Sequence, residues 1–387
     1  MNAPLHREMP AGTLDAERAL SDVTAQWDGD IVKQLTDYIA IPAKSPGFDK
    51  EWSANGYLET VLRNAAAWVE AQKVEGLKLE IVRLDGRTPV LFFEVPATGT
   101  DMGETVLMYG RGGADDGYAV YASIAALQAL KAQGAAHPRI VGLIETCEES
   151  GSYDLLPYVD ALRPRLGNVE LVICLDSGAG NYDQLWLTTS LRGMASGTLK
   201  VEVLTEGIHS GDASGLVPSS FRIMRQVLDR LAAGQGHRRD LGEEVYKRFP
   251  WAHYDCGGST MFALPTTTDP VEALLNRTWK PTLSVTGAEG FPALKDAGNV
   301  LRPYTAFKLS LRLPPLVDAA ESVQQLKALR EDNAPYQARV TFESNGGATG
   351  WNAPTITPWF EDALKTRPRR RTSARPAATS ARAARSR

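Results

Sequence analysis

The sequence predicts an α/β fold in which a mostly parallel sheet is covered by helices on both faces, with a smaller two-layer α+β domain inserted into it. Two near-continuous apolar runs, RIVGLIETC (139–147) and VELVICLDS (169–177), are separated by helical sequence, which is typical of buried parallel strands. From Met194 the pattern changes to period-two alternation, which indicates strands with one covered face. A chain of 387 residues is long enough for both domains.

Helical and strand patterns alternate along the first domain. Helical periodicity covers residues 14–40, and an alanine-rich stretch predicts a helix over 118–130. The runs LKLEIVRL (78–85) and PVLFFEVPA (89–97) predict paired strands, because the turn sequence DGRT lies between them. The run TVLMYG (105–110) predicts a further buried strand.

The second domain is predicted from alternating strands with a helix on one face. The strands are MASGTLKVEVLT (194–205) and TAFKLSLRLP (305–314), and the helix covers residues 218–231. After Leu364 the sequence has no apolar residue larger than alanine or proline, which predicts disorder. The predicted domains are a first part of the large domain, the inserted domain, a second part of the large domain and a basic disordered tail, at 14–190, 191–344, 345–364 and 365–387.

Charge and composition exclude several classes of partner. The net charge of −4 combines the basic tail with an acidic body, since residues 1–364 carry 33 basic and 46 acidic residues, a net −13. Such a body argues against nucleic acid as a partner. Binding by the tail alone is the alternative, and it would depend steeply on salt. No apolar run approaches the about 18 residues of a membrane span, and no signal peptide is visible. We therefore expect a cytoplasmic protein without a membrane partner.

The cysteines predict no disulfide. Cys147, Cys174 and Cys256 are an odd number without paired spacing. Cys147 and Cys174 lie in apolar, strand-like runs, where a small buried thiol fits.

Acidic residues follow three of the predicted strands. Asp115 and Asp116 lie in GRGGADDG, Glu148 and Glu149 in ETCEESGS, and Asp176 in CLDSG. Ligands of such sheets bind beyond the carboxyl ends of the strands, so we expect these acids to converge. Converging carboxylates require protonation or a cation between them. A pair of metal ions that acidifies a bound water, with one further carboxylate as general base, accounts for all of them.

Five ordered motifs carry a family resemblance: YGRGGADD, ETCEESGS, LDSG, EGIHSGDASGLVPS and NVLRPYTAFKLSLRLP. Over residues 15–364 the chain resembles the dinuclear zinc exopeptidases, which include aminoacylase, carnosinase, carboxypeptidase G, bacterial dipeptidases and succinyl-diaminopimelate desuccinylase. The resemblance implies an α/β catalytic domain, an inserted lid domain that forms homodimers, and two zinc ions. It also implies hydrolysis of a peptide or amide bond in a dipeptide or an N-acyl amino acid.

The motifs of this family assign roles to matching residues of this chain. The resemblance implies that Glu148 is the general base and that His209 stabilises the tetrahedral oxyanion. It also implies metal ligands at Asp115 (bridging), Glu149 and Asp176, and groups that hold the substrate carboxylate at Asn299 and Arg312.

Simpler structural roles are open for these residues. Paired acids such as Glu148 and Glu149 are often solvated surface, and His209 has the alternative of capping a turn in a glycine-rich segment. Arg312 alternates with leucines, as an outward-facing strand residue does. Asn299 follows a glycine, which is ordinary turn chemistry.

The chain departs from the family pattern in two places. After Tyr109 and Gly110 the family continues into an H-x-D motif, whereas Arg111 follows at once here. Toward the carboxyl end, the family reaches a final histidine, whereas this sequence becomes arginine-rich. Two histidine ligands are therefore expected to be missing, and we predict weak zinc binding and turnover near zero. The alternative function is a non-catalytic remnant that dimerises through the lid domain.

Overall fold

The computed structural model describes residues 14–99, 103–111, 117–176, 185–229, 266–331 and 334–365. These residues form two compact units. The first contains the described residues up to Trp186 and those from Asp362, and the second is Leu187–Glu361. The four domain boundaries predicted from the sequence stay predictions.

A five-stranded sheet forms the centre of the first unit. Its strands are β1 (Lys78–Val82), β2 (Val90–Val95), β3 (Thr105–Arg111), β4 (Arg139–Glu145) and β5 (Val169–Cys174). Their order is β1-β2-β4-β3-β5, and β2 runs opposite to the other four. The predicted strand pair around the DGRT turn is confirmed, and β3 lies between β4 and β5.

Helices cover both faces of this sheet, as the sequence predicted. They are α1 (Ala16–Gln26), a π-helical segment (Trp27–Ile31), α2 (Val32–Ile39), α3 (Trp52–Asn55), α4 (Tyr57–Ala71), α5 (Ala119–Ala132) and α6 (Leu155–Leu166). Successive side chains of a strand point to opposite faces, so Phe93 packs in the core of α4 and α5, while Phe92 packs with Tyr158 of α6. Phe93 lies across from Gly142, where a Cβ would be 2.0 Å from its ring.

The second unit contains one four-stranded sheet and two small two-stranded sheets. Its strands are β6 (Ser190–Leu191), β7 (Gly193–Glu202), β8 (Ile208–His209), β9 (Thr282–Glu289), β10 (Val300–Leu301), β11 (Tyr304–Leu313), β12 (Arg339–Ala348) and β13 (Trp351–Asn352). The four-stranded sheet has the order β12-β7-β11-β9, and every pairing in it is antiparallel. Small sheets β10-β8 and β13-β6 accompany it.

Helices cover one face of the four-stranded sheet. The helices of this part of the chain are α7 (Ser210–Ala213), α8 (Ser220–Asp229), α9 (Pro270–Thr278), α10 (Ala319–Glu331) and α11 (Pro358–Lys365). Leu199 of β7, Ile223 of α8 and Leu326 of α10 share one apolar core. Burial alternates along the whole of β7. The predicted fold class, an α/β domain with a two-layer α+β insertion, is confirmed, although the predicted end of α8 at residues 230–231 lies outside the described residues.

Burial corrects two predictions that depended on apolar runs. The strand β5 was expected to be buried throughout, but Val172 and Cys174 are exposed, because β5 is the last strand in the sheet order. Cys174 is therefore not the buried thiol that was predicted, whereas Cys147 is buried. Neither of them forms a disulfide within the described part of the chain, and Cys256 lies outside the described residues. No helix in the described part of the chain is long and apolar enough to span a membrane.

Candidate active site

Three of the predicted site residues meet at the carboxyl edge of the parallel strands. Glu148 and Glu149 lie in a 3-10 helix (Glu148–Ser150) that follows β4, and Asp176 follows β5. Because β3 lies between these two strands, the end of β3 faces all three acids. We call Glu148, Glu149 and Asp176 the acid cluster. The fourth predicted acid, Asp115, lies outside the described residues.

Arg111, the last residue of β3, binds the whole acid cluster. Its Nη1 donates to Glu148 Oε2 at 2.5 Å and also to Glu149 Oε1, while its Nη2 donates to Asp176 Oδ1. Only 12% of its side chain is exposed. A guanidinium in such a position forms charge-assisted hydrogen bonds, which are stronger than neutral ones. The structure therefore places one permanent positive charge among three carboxylates.

A buried carboxyl group lies beside Arg111 in the sheet. Glu145 of β4 is in register with Arg111 and accepts hydrogen bonds from the Tyr109 hydroxyl and from Ser152 Oγ, the latter at 2.9 Å. Its other oxygen, Oε2, has no hydrogen-bond partner among the described residues. Burial raises the pKa of Glu145 despite these two hydrogen bonds, and burial together with Glu145 raises the pKa of Tyr109.

The loop that carries Glu148 and Glu149 is held from both sides. Asp154 accepts from Arg87 Nη1 at 2.8 Å and from the Thr88 backbone N–H at 3.0 Å. On the other side, the Ser150 hydroxyl contacts Ser45 and accepts from the Gly47 N–H at 2.6 Å. These long-range bonds fix the turn that positions both acids.

Two of the predicted residues of the inserted domain are brought together within the second unit. His209 in β8 pairs with Val300 in β10, and the Asn299 carbonyl accepts from the Ser210 N–H at 2.9 Å. The His209 ring is mostly exposed, and its Nδ1 accepts from the Gly211 N–H at 3.1 Å. In the structure His209 therefore caps the short helix that follows it, which agrees with the simpler of its two predicted roles.

Arg312 lies in the four-stranded sheet, whereas His209 belongs to the small β10-β8 sheet, which Asn299 directly precedes. Arg312 is an exposed residue of β11 between the buried Leu311 and Leu313. Its neighbours in the sheet are Met194 of β7 and Thr282 of β9. The nearby guanidinium of Arg192 is half-buried, and burial followed by the charge of Arg312 lowers the pKa of Arg192. Two arginines thus face the same end of this sheet.

Comparison with known proteins finds a family match for most of the second unit. Residues 189–337 match the family model described as a peptidase dimerisation domain. We call this segment the dimerisation domain after the family model that it matches. The dimerisation domain (residues 189–337) thus contains His209, Asn299 and Arg312, the predicted lid residues.

Two curated relatives match a larger part of the chain. A cysteinylglycine-S-conjugate dipeptidase of Corynebacterium striatum is 26% identical over 257 residues, which are 64% of this chain and 55% of that protein. A Cys-Gly metallodipeptidase of Saccharomyces cerevisiae is 27% identical over 264 residues, 62% of this chain and 54% of that protein. The chain spans about half the length of the curated relatives it matches.

Solved structures confirm the fold. A di-peptidase from Saccharomyces cerevisiae has a TM-score of 0.61 at 19% identity and covers 91% of this chain and 84% of its own. Human carnosine dipeptidase 1 has a TM-score of 0.62 at 19% identity, and the match covers 90% of this chain and 84% of the carnosine dipeptidase chain. The predicted resemblance to the zinc exopeptidases is confirmed by these matches and by the dimerisation domain.

The described residues of the acid cluster do not fit a zinc pair. Catalytic zinc typically has three protein ligands, and imidazole is prominent among them. His137 precedes β4, so it lies at the far end of that strand from Glu145, and His209 belongs to the dimerisation domain. The described part of the chain contains no group of three or more His, Cys, Asp or Glu residues suited to a metal ion. The three acids are instead held by a guanidinium.

Sequence reasoning found the acids but missed Arg111. In the sequence, Arg111 marks only the position at which the family pattern breaks. Its partners lie 37, 38 and 65 residues away, so no local spacing connects them. The available signal was the order of the strands, because a long basic side chain at the end of the strand between two acid-bearing strands reaches both.

Proposed function

We propose that this chain carries the acidic half of a metal-dependent dipeptidase site, and that its reaction is hydrolysis of the peptide bond of a dipeptide. An N-acyl amino acid is the alternative substrate class. The observation that carries the proposal is the convergence of Glu148, Glu149 and Asp176 at the carboxyl edge of the sheet. The names of the curated relatives make Cys-Gly the first substrate to test.

The roles proposed within the acid cluster are those that the family resemblance implies. Glu148 is the general base that takes a proton from the attacking water. Glu149 and Asp176 would hold metal ions, together with Asp115, which lies outside the described residues. A bound zinc would supply an acidified water. The dimerisation domain would supply His209 for the oxyanion, together with Asn299 and Arg312 for the substrate carboxylate.

We propose further that turnover by this chain is strongly reduced. Carboxylates alone are poor zinc ligands compared with sites that include imidazole. Each ligand of the acid cluster is also engaged by Arg111. The predicted homodimer and cytoplasmic location, and the absence of a nucleic-acid or membrane partner, stay predictions.

Hydrolysis of Cys-Gly by the purified chain, with and without added Zn²⁺, tests the proposal. Any metal-dependent turnover is expected to fall about 100-fold or more in Glu148→Gln, because a general base contributes about that much. Asp160→Asn is a control on the exposed side of α6. Turnover that is equal in the wild type and in Glu148→Gln would exclude Glu148 as the base.

The second candidate is a non-catalytic protein that dimerises through its dimerisation domain. Two observations favour it: Arg111 engages the acids, and β9 is an exposed edge strand of the four-stranded sheet. Leu283 and Val285 are apolar side chains exposed on this edge. An exposed strand edge with apolar side chains is suited to pairing with another chain.

The mass of the protein in solution distinguishes this candidate. A dimer without Cys-Gly hydrolysis would support it, as measured by light scattering after gel filtration. Val285→Lys is expected to shift the protein to a monomer, because a charge replaces an apolar contact on the edge strand. Leu316→Lys is the control, since Leu316 is also exposed in the second unit but lies outside its strands. A wild-type monomer would contradict the candidate.

A further inference from the structure

The charge of Arg111 cannot be removed by pH. A guanidinium stays protonated in proteins, and it has no acceptor capacity with which to bind a metal. Its side chain is nearly buried and reaches acids from both neighbouring strands. The positive charge that converging carboxylates require is thus already part of the chain.

We propose that Arg111 is an internal counter-ion that competes with divalent cations for the acid cluster. The inference rests on the proposed assignment of Glu149 and Asp176 as metal ligands. Metal ions held by Glu149 and by Asp176 would compete for the carboxylates to which Arg111 now donates. Binding therefore requires the guanidinium to leave, or two cations to share one small site against their repulsion.

The position of Arg111 makes its departure unfavourable. Arg111 ends β3 and lies in register with Glu145 within the parallel ladder, so its backbone is fixed by the sheet. Moving the side chain to solvent would leave three carboxylates without this counter-charge. Arg111 is a positioning residue for the acids: it holds them together without a metal and lowers their affinity for one.

Binding of Zn²⁺ alone to the chelator-treated protein tests the proposal, measured by calorimetry and by metal analysis after dialysis. Arg111→Met removes the charge and keeps an unbranched side chain, and is expected to tighten zinc binding at least about 10-fold. Arg111→Lys keeps the charge and is expected to resemble the wild type. Arg83→Met is the control, because Arg83 pairs with Glu59 elsewhere in the first unit.

A second change assigns the binding to the acid cluster. Adding Asp176→Asn to Arg111→Met is expected to reverse the gain. Equal zinc affinity of the wild type and Arg111→Met, with binding lost in Asp176→Asn, would overturn the proposal. If Arg111→Met does not fold, the melting temperature of the wild type is measured with and without added Zn²⁺, and no rise is expected. A rise of several degrees, as for a ligand at about 100 times its dissociation constant, would overturn the proposal.

The outcome is separable from that of the proposed function. Tighter zinc binding by Arg111→Met without any Cys-Gly hydrolysis would support the counter-ion and reject the dipeptidase. A wild type that binds zinc as tightly as Arg111→Met and hydrolyses Cys-Gly would support the dipeptidase and reject the counter-ion.

Discussion

Two clusters of arginine and carboxylate lie at opposite edges of the same sheet, and their charge balance differs. At the amino end of β4, Arg139 and Arg165 share Glu94, and Arg165 also pairs with Glu80. We call these four residues the amino-edge cluster, and its two positive charges match its two negative charges. At the carboxyl edge, the ion pairs of the described residues join one arginine, Arg111, to the three residues of the acid cluster.

The difference in charge balance distinguishes a structural ion-pair cluster, at the amino edge, from a candidate functional site at the carboxyl edge. Burial raises the pKa of Glu94, but hydrogen bonds and charges from Arg165 and Arg139 outweigh it, so the net pKa is lowered. Its ionised form is therefore favoured by the fold. The carboxyl edge holds more negative charge than its arginine balances, and like charges in proximity cost stability. An arrangement with such a cost is typical of functional sites.

The largest expected effect is a loss of stability on substitution of Asp154, a structural acid that does not belong to the acid cluster. Asp154 has a side chain that is 4% exposed and accepts from Arg87 and twice from Thr88. Asp154→Ala is expected to lower the free energy of unfolding by about 2 to 3 kcal/mol, since a buried charged acceptor is lost and Thr88 is left unsatisfied. Urea unfolding followed by circular dichroism measures it.

Asp160→Ala on the exposed side of α6 is the control, with an expected change within about 0.5 kcal/mol. Equal losses in the two variants would mean that Asp154 contributes no more than a surface acid.

A smaller effect of opposite sign is expected at Glu145. Because the folded state raises its pKa, the contribution of this group to stability is fully present below its unfolded pKa and is lost as the pH rises through the folded value. Glu145→Gln removes a buried charge whose Oε2 has no partner among the described residues, so it is expected to stabilise the protein at pH 8 by about 1 kcal/mol.

The gain should shrink as the pH falls toward and below the unfolded pKa, because the wild-type carboxyl group then becomes protonated in both states. Melting temperatures of the two proteins across this range measure it. A gain that does not depend on pH would show that packing, and not charge, sets the effect.

The sequence predicted the parts of this comparison that depend on local pattern. The apolar runs gave the strands of the first unit, and the period-two pattern of β7 gave one covered face, because side-chain alternation follows from strand geometry itself. The convergence of Glu148, Glu149 and Asp176 was predictable because parallel strands carry their carboxyl ends to one edge.

Other features depend on the spatial order of the strands, which the pattern does not contain. The apolar residues of β5 resemble those of β4, yet β5 is the last strand in the order and exposes Val172 and Cys174. The position of Arg111 between β4 and β5 likewise follows from sheet order. Asp115 and the residues from 366 onward lie outside the described residues, so the roles predicted for them stay predictions.

The smallest expected effect compares the same change at the two edges. Glu94→Gln removes one acid from the balanced amino-edge cluster and is expected to cost about 1 kcal/mol at pH 7. This is less than the about 1.5 to 3 kcal/mol of a hydrogen bond to a charged group, because these side chains are partly exposed. Because the folded pKa of Glu94 is lowered, this contribution is present above the unfolded pKa and is lost as the pH falls through the folded value.

Asp176→Asn removes one acid from the excess at the carboxyl edge, so the lost ion pair with Arg111 is offset by less repulsion from Glu148 and Glu149. Its expected cost is below about 0.5 kcal/mol, and urea unfolding of both variants at pH 7 gives the comparison. A cost at Asp176 as large as that at Glu94 would mean that Arg111 binds its acids as a balanced structural pair, and would remove the distinction between the two edges.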